Sequence, residues 1–137
     1  IGTTTEYLAT RGNFVTYYDL PGVLLDFAKW RFQRLNGYQQ NIYIYTNTLI
    51  TSSMYDRVVA IDVLEHIHPD EFDNTCDWLA GMLKPGGILF AHNYFLAAGE
   101  KFPSHFPHQD RWAKFIERHG FTERGEYEWV KPEGAAA

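Results

Sequence analysis

The chain has little cysteine and no long apolar run. Its 137 residues include a single cysteine, Cys76. No disulfide can form within the chain, and a reducing, cytoplasmic setting is expected. No stretch approaches the roughly 20 apolar residues of a membrane-spanning helix, and no signal-peptide pattern is visible. The sequence therefore predicts no membrane partner.

Clusters of positive charge are also missing. The chain carries 12 Lys and Arg against 17 Asp and Glu, a formal net charge of −5. This balance disfavours binding to nucleic acid through phosphate contacts. Aromatic residues make up 17% of the chain, which is too apolar for a disordered protein. With no repeat or linker, we expect one domain over residues 1–134, and we interpret Ala135 to Ala137 as a vector scar.

Short apolar runs alternate with helical patterns along the chain. This alternation predicts an α/β fold, a Rossmann-like three-layer sandwich with a mainly parallel sheet. A last strand is expected to run antiparallel, or as a shortened hairpin, because only about one strand's length follows Phe121. The expected strands are Phe14 to Tyr18, Ile42 to Tyr45, Val58 to Ile61, Ile88 to Ala91 and Thr122 to Val130.

Several helix signals accompany these strands. Thr3 and Glu6 have the spacing of a capping box, and the Lys84 to Gly87 segment has the composition of a turn. Two helical stripes of buried residues are predicted. They are Leu24, Phe27, Ala28, Arg31 and Leu35 in one helix, and Phe72, Cys76, Leu79 and Leu83 in the next.

Two segments together carry a family resemblance. The first, Tyr55 to Ile67, reads as a buried strand, an acidic turn and a Leu-Glu-His motif; the second, Leu83 to Phe90, contains Lys-Pro-Gly-Gly before another apolar strand. Together they resemble the second half of a class I S-adenosylmethionine-dependent methyltransferase of the Leu-Glu-His subgroup. The resemblance implies S-adenosylmethionine as cofactor and methyl transfer as the reaction, without naming the acceptor.

The beginning of the chain departs from this family pattern. In the family, a strand, an acidic residue and a Gly-x-Gly-x-Gly loop precede the first helix, and Gly2 matches the last glycine of that loop. A sheet without its central first strand would leave strand edges unpaired. We therefore expect an N-terminally incomplete domain. The alternative is a compact variant that starts at this point.

The resemblance implies a set of cofactor-binding residues at the carboxyl ends of the strands, where open α/β sheets bind ligands. Gly2 would let backbone N–H groups approach the cofactor's carboxylate. Asp19 would accept the ribose hydroxyls, with Leu20 against the adenine and Asn47 accepting from its amino group. Asp62 would lie beside the methionine portion. Asp19 could instead serve only as a turn residue, and Glu65 only as a charge at a helix start.

Two histidines are candidates for a catalytic base. The family places His66, the last residue of Leu-Glu-His, facing the pocket, and His92 ends a strand beneath the expected substrate. Either could take a proton from a hydroxyl or amine acceptor. The mild acidity and the aromatic-rich residues 94–115 favour a small-molecule acceptor.

Two other function classes stay open from the sequence. Asp19 would also suit a nicotinamide-dependent dehydrogenase, which likewise binds a ribose after its second strand. The other class is a non-enzymatic module, either a non-catalytic member of the fold or a metal-binding protein that uses His105 and His108. His105, His108 and Asp110 lack a fourth ligand, so no metal site is predicted, and these histidines are expected on the surface or in a lid.

Overall fold

A computed structural model describes residues 1–46, 53–96 and 101–134. The chain divides into two compact units, Ile1–Leu49 and Ile50–Ala137. Among the described residues, every helix is too short or too polar to cross a membrane.

The first unit alternates helices and strands. Its two strands pair in parallel, with Val15 opposite Ile42 and Tyr18 opposite Tyr45. Their carboxyl ends therefore meet at one edge, which places Asp19 directly after that edge. The elements are α1 (Thr3–Thr10), β1 (Val15–Tyr18), α2 (Val23–Phe32), a 3-10 turn (Gln39–Asn41) and β2 (Ile42–Tyr45).

The buried face of α2 differs from the predicted one. Leu25, Ala28 and Phe32 are buried, whereas Leu24 and Phe27 are 57% and 48% exposed. The charged residues Asp26, Lys29 and Arg31 are spread around the helix, so its periodicity does not define one apolar face. The predicted and the observed faces share only Ala28. The prediction selected the wrong face.

The predicted capping box at Thr3 is also wrong. The N-cap of α1 is Gly2 in a left-handed conformation, and no side chain caps the helix. Arg31 on α2 takes both predicted capping groups: its guanidinium donates to the Glu6 carboxylate at 2.6 Å and to Thr3 Oγ1 at 3.1 Å. The charged pair is the stronger interaction, and it links α1 to α2.

The second unit contains a four-stranded sheet whose strands lie in the order β3 (Tyr55–Ile61), β4 (Leu83–His92), β6 (Glu128–Val130) and β5 (Thr122–Gly125). β3 and β4 are parallel, and the β4–β6 and β6–β5 pairings are antiparallel. The α/β class is confirmed, with a mixed sheet in this unit. The elements are β3 (Tyr55–Ile61), a 3-10 turn (Leu64–His66), α3 (Pro69–Met82), β4 (Leu83–His92), α4 (Gln109–His119), β5 (Thr122–Gly125) and β6 (Glu128–Val130).

The core of the second unit follows the predicted stripe of α3. Phe72, Cys76, Leu79 and Leu83 are all buried in one cluster with Leu64 and Leu89. Full burial of a large apolar side chain contributes about 1.5–3 kcal/mol. Burial also raises the pKa of the Cys76 thiol to about 12, helped by the nearby charges of Asp73 and Asp77.

Two predicted local features take a different form. The expected turn at residues 84–87 lies inside β4 as an irregularity, with Gly86 at φ 73° and a register shift opposite Tyr55 and Arg57. The segment expected as one strand, Thr122 to Val130, is a hairpin of two short strands with Tyr127 at φ 65° between them, in line with the shortened hairpin that was the alternative expectation. The antiparallel direction of the final strand, β6, is confirmed.

Candidate functional site

Asp19 follows β1 at the carboxyl edge of the first unit. Its Oδ2 accepts a hydrogen bond from the Tyr17 hydroxyl at 2.6 Å, and its Oδ1 accepts one from the Leu20 N–H at 2.8 Å. Each carboxylate oxygen has two lone-pair sites, so both can accept a further donor. Burial, and then the hydrogen bond and charge of Asp19, raise the pKa of Tyr17, which keeps its hydroxyl a donor to Asp19. The Leu20 side chain is exposed.

Gly2 precedes α1 and occupies a restricted position. Its φ is 71°, and a Cβ built on it would lie 2.7 Å from the Phe32 ring. The glycine is therefore required by the packing of the first unit itself, and its expected cofactor contact stays a prediction. Asn47 lies outside the described residues.

In the second unit, Asp62 and His92 lie side by side at the ends of β3 and β4. His92 Nδ1 is 2.7 Å from Asp62 Oδ1, and the Asp62 backbone N–H donates to the His92 carbonyl at 3.0 Å. The His92 ring also packs edge-on against Tyr127 at 4.7 Å between centroids. Because the carboxylate accepts from Nδ1–H, Nε2 of the neutral ring holds the free lone pair.

The Leu-Glu-His motif forms the 3-10 turn after β3. Glu65 is only 1% exposed, so it is not the solvated helix-start charge considered from the sequence. Its Oε1 accepts from the Tyr94 N–H at 3.3 Å, and its Oε2 is buried without a hydrogen-bond partner among the described residues. In the sequence, Glu65 drew attention only as part of the Leu-Glu-His motif. Its charge predicted a solvated side chain, so its burial was not predictable.

His66 lies beside a histidine from the loop that precedes α4. Its Nδ1 is 3.1 Å from both the carbonyl oxygen and the hydroxyl of Ser104. Its ring meets the His105 ring edge-on, with centroids 4.7 Å apart. The His105 Nδ1 is 3.0 Å from the Tyr94 carbonyl oxygen. His66 thus belongs to a polar cluster separate from the Asp62–His92 hydrogen bond.

His105 and His108 are both buried, so the expectation of surface histidines is wrong. The alternative, that they belong to a lid, stays a prediction. His108 Nε2 donates to the Ile67 carbonyl at 2.8 Å, and its ring stacks on Phe72 at 3.9 Å. His108 therefore has a structural role. The histidine beside His105 is His66, which the spacing of residues 105–110 could not reveal.

A shallow pocket lies on one face of the second unit. Its lining includes Asn93, Phe95, Trp112 and Trp129. Asn93 Oδ1 is buried without a hydrogen-bond partner among the described residues. Successive strand residues point to opposite faces, so Ala91 and Asn93 of this pocket alternate with His92. The pocket also includes Tyr127, whose ring packs against His92.

A family model described as a methyltransferase domain matches residues 1–89. The matched segment contains Gly2, Asp19, Asp62 and the Leu-Glu-His motif, whereas His92 and His105 lie beyond it. No curated protein is significantly similar to the chain.

Solved structures share the fold at low sequence identity. The N-methyltransferase NodS from Bradyrhizobium japonicum, in complex with S-adenosylhomocysteine, is 20% identical with a TM-score of 0.71, and the match covers 96% of this chain and 74% of NodS. A 1,6-didemethyltoxoflavin-N1-methyltransferase from Burkholderia thailandensis, with that compound and S-adenosylhomocysteine bound, is 18% identical with a TM-score of 0.61, covering 95% and 64%. The [4+2]-cyclase SpnF is 16% identical with a TM-score of 0.68, covering 88% and 47%. The chain thus spans between about half and three quarters of the length of these proteins.

Proposed function

The chain belongs to the methyltransferase-domain family, and we propose that it forms the cofactor-binding part of an enzyme that transfers a methyl group from S-adenosylmethionine to a small molecule. The match of the family model over residues 1–89 carries this proposal. The similar N-methyltransferases bind S-adenosylhomocysteine, and one of them binds a small heterocyclic acceptor. The single cysteine supports a cytoplasmic setting.

The first unit offers an acceptor for a nucleoside. Both Asp19 oxygens already receive one hydrogen bond that fixes the carboxylate, and their remaining lone pairs suit two ribose hydroxyls. We propose that Asp19 binds the ribose and that the exposed Leu20 side chain covers the adenine. Gly2, Asn47 and Asp62 complete the proposed cofactor-binding set.

In the second unit, the proposed base is His92. The bound cofactor would supply the activated methyl group, while the protein would orient the acceptor and remove its proton. Nε2 of His92 would take that proton, and the Asp62 carboxylate at Nδ1 would stabilise the charged ring that forms. His66 is the second candidate base.

Calorimetry of the full-length protein with S-adenosylmethionine tests the cofactor assignment. Asp19→Ala should weaken binding by about 1–3 kcal/mol, because the ribose hydroxyls lose their acceptor. Asp26→Ala is the matched control, since Asp26 is exposed and pairs with Lys29 within one helix. A nicotinamide dinucleotide is the control ligand for the parent protein.

No binding of S-adenosylmethionine to the parent would overturn the proposal. Unchanged affinity in a folded Asp19→Ala variant would overturn the role of Asp19 alone. Methyl transfer needs its own measurement with radiolabelled cofactor, because SpnF shows that a cyclase can share this fold.

A further inference from the structure

The second unit brings together three metal-ligating side chains that lie outside the Asp62–His92 hydrogen bond. A carboxylate oxygen of Glu65 and one ring nitrogen each of His66 and His105 lie within 4.8 Å of one another. We propose that this cluster binds a divalent transition-metal ion such as Zn²⁺. The proposal does not depend on methyl transfer.

The first argument is the state of Glu65. Its side chain is buried, and Oε2 accepts no hydrogen bond from any residue that the structure describes. No lysine or arginine is paired with it among those residues either. Burying a charged carboxylate costs several kcal/mol unless it is paired or coordinates a metal. A bound cation would supply the missing partner.

The second argument is the orientation of the two imidazole rings. Nδ1 of His105 faces the Tyr94 carbonyl at 3.0 Å, and Nδ1 of His66 faces the Ser104 carbonyl at 3.1 Å. A carbonyl oxygen only accepts, so a proton on Nδ1 satisfies each of these contacts and leaves the lone pair on Nε2. The Ser104 hydroxyl, also 3.1 Å from His66 Nδ1, can accept from the same proton. Histidines that bind metals almost always donate their other ring N–H to a carbonyl or carboxylate in this way.

The donor set determines the class of ion. Two imidazoles and one carboxylate suit zinc and other first-row transition metals, and leave at least one coordination position open. Calcium and magnesium prefer oxygen ligands. At metal–ligand distances of about 2.1 Å, tetrahedral ligands lie about 3.4 Å apart. The ligand atoms, now within 4.8 Å of one another, must move closer on binding, and the exposed His66 side chain, which contacts Ser104 and His105, is the one at the surface of the cluster.

The place of the cluster in the fold suggests where the open position lies. Glu65 and His66 follow β3, and Tyr94, which bonds to both Glu65 and His105, follows β4. These are carboxyl ends of parallel strands, the edge at which open α/β sheets bind ligands. A metal there could polarise an oxygen or nitrogen of a bound small molecule.

Zinc titration of tag-free protein, freed of metal with a chelator, tests the proposal. Calorimetry should show one Zn²⁺ per chain, and Co²⁺ should give the visible absorption of a site with nitrogen ligands. His66→Gln and His105→Gln should each weaken Zn²⁺ binding at least about tenfold. His68→Gln is the matched control, because His68 is exposed, lies two residues from His66 and is not in the cluster.

Absence of stoichiometric binding of both Zn²⁺ and Co²⁺ to the parent would overturn the proposal, as would full affinity in folded His66→Gln and His105→Gln variants. Because His66 is exposed and His105 is buried, His66→Gln should disturb folding less than His105→Gln. Titration of the same variants with S-adenosylmethionine separates the two proposals: loss of zinc binding with unchanged cofactor affinity supports the metal site by itself.

Discussion

Asp62 and His92 are joined by two hydrogen bonds that run in opposite directions. The backbone N–H of Asp62 donates to the His92 carbonyl, and Nδ1–H of His92 donates to the Asp62 carboxylate at 2.7 Å. The first bond fixes the ends of β3 and β4 relative to each other, and the second fixes the imidazole ring. Asp62 adopts a φ of 52° to do this, a conformation that is uncommon outside glycine. Strain of this kind is typical of functional sites.

His92→Gln should lower the rate of methyl transfer about a hundredfold or more, the usual contribution of a general base. Asp62→Asn should lower the rate less, since the base stays but loses the charge that stabilises it. Single-turnover methyl transfer measured against pH, with His68→Gln as control, checks both. If His92→Gln and His66→Gln both keep the parent's rate and pH profile, neither histidine is the base.

Gly2→Ala should destabilise the protein more than Gly12→Ala. Both glycines have positive φ values, 71° and 84°, but a Cβ at Gly2 would meet the Phe32 ring at 2.7 Å, whereas a Cβ at Gly12 would meet nothing within 4 Å. The shared conformational penalty is about 1–2 kcal/mol, and only Gly2→Ala adds a steric clash. Urea unfolding of both variants measures the difference. Equal losses would show that the Phe32 ring moves aside without cost.

Cys76 should be almost inert in the native protein. Burial raises its thiol pKa from 9.0 to about 12, so at pH 8 the thiolate is about a thousandfold rarer than in the unfolded chain. Labelling with a thiol-specific disulfide reagent at pH 8 should be slow in buffer and fast in denaturant. Rapid labelling of the folded protein would contradict the burial.

The same shift has a consequence for stability. A group whose pKa is raised by folding stabilises the native state fully below its unfolded pKa, and this contribution is lost as the pH rises through the native value. The free energy of unfolding should therefore decline between pH 9 and 12, with a smaller decline in Cys76→Ala. Tyr17, whose pKa is also raised, contributes to both proteins alike.

The sequence predicted the second unit better than the first. The α3 stripe that contains Phe72 and Cys76 was correct because polar residues separate its apolar positions, so only one face can be buried. In α2, Leu24 and Leu25 are adjacent and both apolar, and periodicity could not choose between them. The Lys84 to Gly87 segment was interpreted as a turn because local composition does not report the pairing partners that hold it within β4.

The sequence predicted contacts in the site only between residues that are close in sequence or that follow neighbouring strands. Parallel strand ends predicted that Asp62 and His92 lie at one edge, and the two are hydrogen-bonded there. The approach of His105 to His66, 39 positions earlier in the chain, depends on where the loop at residues 104–108 lies, which no motif encodes. The burial of Glu65 depends on the same loop, whose residue Phe106 donates its N–H to the Glu65 carbonyl at 2.8 Å.

Hydrogen bonds and one ring contact hold the turn at residues 64–67 against the loop at residues 104–108. The hydrogen bonds join Ser104 to His66, Phe106 to Glu65 and His108 to Ile67, and the ring contact is between His66 and His105. Two of these hydrogen bonds are accepted by backbone carbonyls of the turn. The position of the loop therefore depends on the main chain of the turn as well as on its side chains. We therefore expect a substitution that reshapes the loop also to displace the Leu-Glu-His turn, so a loop exchanged by mutagenesis should be exchanged together with its turn.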